Sequence, residues 1–148
     1  MAVLTLPRDR VAIPQAVYDV LQCKIDALRN SVLMQATLRA KQRQPGAAGR
    51  TVKLSQEDIK GALQDLAESQ GNEPSRPRGA LPDLTNDLNF WLDRRLYPIR
   101  AMVREQAVDL ATQRNDGNLT REIMEQAWQI VWGNPSQRRP AFIAAMKS

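Results

Sequence analysis

The chain matches itself. Leu28-Arg29, Val32, Gln35-Ala36 and Ala40 are answered 71 positions later by Ile99-Arg100, Val103, Gln106-Ala107 and Ala111. The same offset carries Val17, Val20, Leu21, Lys24 and Ile25 onto Leu88, Trp91, Leu92, Arg95 and Leu96. Further on the offset is 65: Leu54-Ser55-x-Glu57-x-Ile59-x-x-Ala62-Leu63 falls on Leu119-Thr120-x-Glu122-x-Met124-x-x-Ala127-Trp128. The change of six positions coincides with Gln44-Pro45-Gly46-Ala47-Ala48-Gly49, and a loop is where a duplicated unit absorbs a change of length. Any two amphipathic helices share an apolar period. That period does not account for the matched pairs Arg29/Arg100, Gln35/Gln106, Glu57/Glu122 and Ser55/Thr120, so we read a true duplication.

The apolar spacing inside each copy is helical. Val17, Leu21, Ile25, Leu28, Val32, Ala36 and Ala40 predict a helix over 14–44, with Pro14 suited to its first turn. Ser55 opens the next helix, with Asp58 three residues on as a weaker capping box. The stretch 71–82 holds three prolines, two glycines and two arginines and predicts a linker. A helix over 85–95 follows, then a break near Pro98, a longer helix to about Arg114 and a turn at Asn115-Asp116-Gly117-Asn118. Thr120 caps the last helix, which Gly133-Asn134-Pro135 stops. Each unit is then a short helix, a longer central helix, a loop and a capped short helix. No alternating runs appear, so the expectation is an all-α fold. Its expected parts are a first unit over 14–70, the linker over 71–82, a second unit over 83–133 and a basic C-terminal tail over 134–148 with one short turn around Phe142.

Composition narrows the function. There is no His, which removes the commonest general base and metal ligand and every Ser-His-Asp or Cys-His arrangement. The seven glycines form no phosphate-binding loop. Glu57 and Glu122 stand in first turns, where negative charge suits the helix dipole better than it suits acid–base work. We therefore expect no catalytic residues, no cofactor and no metal: a non-enzymatic protein. Cys23 is the lone cysteine, expected to be a buried small apolar residue. No stretch is long and apolar enough for a bilayer, and the N-terminus lacks signal-peptide order, so a soluble, cytoplasmic chain is expected, with self-association open. The net charge of +5 permits a polyanionic partner without requiring one.

The order of elements resembles the histone fold. Gly49-Arg50-Thr51-Val52-Lys53-Leu54-Ser55-Gln56-Glu57-Asp58-Ile59-x-x-Ala62-Leu63 is similar to that family's second loop and third helix, where a basic residue and Thr precede a capped helix. Two such units would make a histone-fold doublet packed as a pseudo-symmetric pair. The second unit, over 96–127, also resembles the small C-terminal helical domain of a protochlorophyllide reductase subunit, itself histone-like. The shared residues are Pro98, Arg104, Ala111, Gly117, Leu119-Thr120-x-Glu122 and Ala127, and Val108 stands where that family has glutamate. The loop over 115–120 lacks the basic residue of a DNA-binding histone loop.

The resemblance implies that the first loop of one unit lies beside the second loop of the other, and in histones that junction holds DNA phosphate. Placing the first loop of the second unit at the Pro98 break gathers Arg94, Arg95 and Arg100 with Lys41, Arg43, Arg50 and Lys53 as a DNA-backbone site. The opposite, weaker end gathers Lys24 and Arg29 with Arg114, Asp116 and Arg121. The same arginines also suit a solvated face paired with Asp87, Asp93 and Glu105. Trp91 and Trp128 occupy positions held by Val20 and Leu63 in the other copy, so they belong to the core. Trp132, Arg138 and Arg139 are the candidates for a protein-partner contact. Two functions stay open: sequence-independent DNA binding, or a protein–protein module within a larger assembly.

Overall fold

Pro14 fixes the chain for a helix start, and α1 (Gln15–Arg43) then runs unbroken for 29 residues, about 43 Å. The computed structural model describes residues 7–43, 53–68 and 84–147. The remaining helices are α2 (Gln56–Glu68), α3 (Asn86–Arg95), α4 (Tyr97–Gln113), α5 (Arg121–Gly133) and α6 (Pro135–Met146), preceded by a single 3-10 turn at Arg8–Arg10. The described residues are all-α, with no strand beyond one isolated bridge.

The helix starts follow their caps. Ser55 Oγ accepts the Asp58 N–H at 3.3 Å while Asp58 Oδ2 accepts the Ser55 N–H at 3.0 Å, a reciprocal capping box. Thr120 Oγ1 accepts from the Ile123 N–H, and Thr85 Oγ1 from the Leu88 N–H, both at 3.2 Å. α4 ends in a left-handed residue, Asn115 (φ 59°). The Asp116 N–H returns to the Ala111 carbonyl at 2.9 Å and the Asn115 N–H to Thr112 at 3.1 Å, which closes the last turn.

The duplicated positions are buried alike. Leu28 and Ile99, Val32 and Val103, Ala36 and Ala107, Ala40 and Ala111, and Ala62 and Ala127 are all fully buried. Each long helix packs on its own short partner, α1 on α2 and α4 on α5. Contacts between the copies are reciprocal: Arg29 of α1 donates to Asp93 of α3, and Arg100 of α4 donates to Gln22 of α1. Gln22 and Asp93 are themselves 71 positions apart, the same offset that relates Arg29 to Arg100.

Three expectations need correction. The break near Pro98 is a kink and not a loop. Leu96 keeps a right-handed φ/ψ, Pro98 sits in the first turn of α4 where no N–H is needed, and the Arg100 N–H bonds back to Leu96 at 3.0 Å. The first copy has Ala27 there and no break at all.

The stretch 134–148 is not a basic tail, since α6 fills most of it. Its Arg138, Ala141, Phe142 and Ala145 recur at 3, 4 and 7 residues and are all buried. α6 packs on α2, α4 and α5, and the positions that match it in the first copy, 70–81, lie outside the described residues. α1 packs on α5, and α6 packs on both α2 and α4. Cys23, expected in the core, is exposed on α1.

Candidate nucleic-acid interface

The end of the molecule where two loops meet is built around one parallel bridge, between Ala12 and Asn118. The Ala12 N–H donates to the Gly117 carbonyl and the Leu119 N–H to the Ala12 carbonyl, each at 2.8 Å. The residues flanking the bridge are anchored: Leu119 is buried, and Val11 and Ile13 pack partly against the core. Each bridged chain runs straight into a helix. α1 begins three residues after Ala12 and α5 three residues after Asn118, so two positive helix ends open beside the same bridge. No acidic residue stands in the first turn of α1, and Glu122 does in that of α5.

Four arginines surround this end. Arg8 forms ion pairs with Glu105 and Asp109 of α4 and ties the N-terminal segment down. Arg10 is exposed. Arg114 donates to Gln126, and Arg121 pairs with Glu125 at 3.4 Å on an exposed helix face. The chemistry available is that of phosphate contact: guanidinium groups beside backbone N–H groups at helix starts.

The predicted cluster at the other end is not brought together. Arg100 is half-buried against Gln22, in the first third of α1, and Arg43 lies 21 residues further along that helix, about 30 Å away. Arg100 and Arg29 both line an open groove of about 530 Å³ in which Asp26 and Asp93 balance their charge. Arg95 lies over the Trp91 ring at 5.0 Å and donates to the Lys147 carbonyl at 3.3 Å. Arg94 is exposed on α3, and Lys41 is exposed near the end of α1. Lys24, assigned to the weaker end, sits over the Trp128 ring at 5.7 Å. Lys53 is exposed, and Arg50 lies outside the described residues.

Arg43 is committed within its own unit, pairing with Asp58 at 2.7 Å. Burial of Asp58 disfavours its charge, but the Arg43 contact and the Ser55 amide and hydroxyl outweigh it and hold the carboxyl below its usual range. The misplacement has one cause. The loop preceding the long helix lies at residues 7–14 and not at the kink, and Ala12 with Pro14 just before the apolar period was the available signal.

Trp132 and Arg138 are internal, and neither is a surface for a partner. Trp132 packs against Trp128 (5.7 Å between rings) and edge-on to Phe142 (5.8 Å). Arg138 is fully buried above the Trp132 ring and donates to the carbonyls of Ala67 (3.2 Å) and Trp132 (2.6 Å). Those two residues are 65 apart, so one guanidinium from α6 closes the C-terminal ends of the two matched helices, α2 and α5. Burial pushes the Arg138 pKa down from the ordinary arginine value. Arg139 remains on the surface, paired with Glu68 at 2.9 Å. Among the described residues no group of acids and cysteine has the arrangement of a metal site, and no helix is long and apolar enough to cross a membrane. No family model, curated protein or solved structure matches this chain.

Proposed function

We propose that the chain is a doublet of histone-like units whose paired loops bind nucleic-acid backbone without reading sequence. The observation that carries this reading is the parallel bridge between Ala12 and Asn118, which joins the segment before one long helix to the loop after the other. That is the junction the family resemblance leads one to expect. It gathers two helix starts with Arg10, Arg114 and Arg121. The repeat offsets put a second such junction at Lys53 and Asp83, of which Asp83 lies outside the described residues.

A fluorescence titration with a mixed-sequence DNA duplex tests this at low and moderate salt. Binding should weaken steeply with salt, since phosphate contact releases counterions. Replacing Arg10 and Arg121 with alanine should lower affinity and reduce the log–log salt slope by about two. Replacing Arg95 and Arg100 should change neither. No binding at low salt, or binding indifferent to salt, refutes the proposal.

A protein–protein module is the second reading, and one feature favours it. An open groove of about 690 Å³ between α4 and α5 is floored by Leu110 and Ile130, whereas the matching positions of the first unit are Arg39 and Asp65. Recovery of a stoichiometric protein partner, with no nucleic acid in the purified sample, would support that reading over the first.

A further inference from the structure

We propose that the outer face of α3 and α4 is a self-association surface on which a second copy of the chain packs antiparallel. Asp87, Phe90, Arg94, Tyr97, Ala101 and Arg104 are all exposed. They recur at intervals of 3, 4, 3, 4 and 3, the spacing of a single helical seam. Phe90 is 74% exposed and Tyr97 59%, the two most exposed large hydrophobic side chains among the described residues.

The duplication shows that the fold does not need them there. At the matching places in α1 the chain has Asp19 for Phe90 and Asp26 for Tyr97, on a helix of the same packing role. Asp87, Arg94 and Arg104 also lack ion pairs or side-chain hydrogen bonds among the described residues. By contrast Arg8, Arg29, Arg39, Arg43, Arg121 and Arg139 all have carboxylate partners.

The order of these side chains fits a second copy in one orientation. A two-fold axis midway between Arg94 and Tyr97 sets Asp87 across from Arg104, Phe90 across from Ala101, and Arg94 across from Tyr97. Opposite charges then meet at both ends, a large ring meets a small side chain, and a guanidinium meets an aromatic face. A parallel pairing would set each charge on its own copy. Leu96, the one residue between α3 and α4, lies at this axis. The seam is about 26 Å long, the length of a small interface.

Sedimentation equilibrium on the full chain tests this. The wild-type chain should pass from monomer to dimer with rising concentration. Phe90→Ser with Tyr97→Ser should stay monomeric with an unchanged helical circular dichroism signal. Arg104→Asp alone should weaken the dimer about ten-fold or more, and adding Asp87→Arg should restore it. A wild-type chain that stays monomeric at several hundred micromolar, masses that grow past the dimer, or a reversed pair that does not restore association would overturn the proposal.

Discussion

The groove between α1 and α2 and the groove between α4 and α5 occupy matched places, yet one is closed and the other open. In the first, Arg39 lies across α2 at Gly61 and makes two 2.7 Å bonds to Asp65, with Gln35 adding a third at 2.9 Å. In the second, Gln126 replaces Gly61, and Leu110 and Ile130 replace the ion pair. The inner positions match between the two halves, and the outer ones do not.

The largest expected effect falls on the shared inner positions. Ala36→Asp and Ala107→Asp each bury a charge where no exposed surface remains, so each should cost more than about 4 kcal/mol and unfold the chain. Similar losses in thermal melts would show that the two copies form one core. A near-native melt for either would break their equivalence.

Arg138 comes next, because it ties α6 to the ends of both α2 and α5. Arg138→Ala removes a buried cation from two carbonyls and from the Trp132 ring, and should cost about 3 kcal/mol. Denaturant melts check this. A change within experimental error would mean that water serves those carbonyls and that α6 is only loosely attached.

Much of this was legible in the sequence. The apolar periods of α1 and α2, the Ser55 and Thr120 caps and the core role of Trp128 follow from local rules that burial does not override. The paired-loop end was misread because Pro98 signals a break by its own geometry, and only the packing of neighbouring helices shows that the helix resumes after one residue. α6 was missed because Ser136-Gln137-Arg138-Arg139-Pro140 reads as polar. A buried arginine fits an apolar face only when two helix ends supply carbonyls, and those ends are distant in sequence. Trp132 reads as a surface residue for the same reason: its cover is α6.

Acid should separate the units. Arg39 holds the Asp65 carboxyl below its usual range against the opposing effect of burial, and Asp58 is lowered likewise by its pairing with Arg43 and Ser55. Groups with depressed folded-state pKa values contribute stability above the unfolded value, near pH 4, and lose it as pH falls through the folded value. The second unit has Ile123 and Ile130 at those places, and neither side chain titrates. All three tryptophans lie in the second unit. In an acid titration the helical circular dichroism signal should therefore begin to fall before tryptophan fluorescence changes. Coincident transitions would mean that the units unfold as one below pH 4.

The smallest effect is the most specific to the groove. A Cβ added at Gly61 would meet the Arg39 guanidinium at 2.7 Å, too close for the present arrangement. The obstacle is the far end of a flexible side chain, so Gly61→Ala should displace Arg39 and leave the helix intact. The gain in helix propensity, about 1 kcal/mol, is then offset by loosening of a half-exposed ion pair, and the net change should stay within about 0.5 kcal/mol. The mark of the substitution is instead in the acid limb. With Arg39 displaced, the Asp65 carboxyl should titrate closer to its usual range, readable by carbon-detected NMR of the side chain. Gln126→Ala, at the matched place over an apolar floor, should shift no carboxyl. If Asp65 kept its depressed value in the Gly61→Ala protein, the guanidinium would have found a second path to it, and the groove of the first unit would be closed by charge alone and not by the room that glycine leaves.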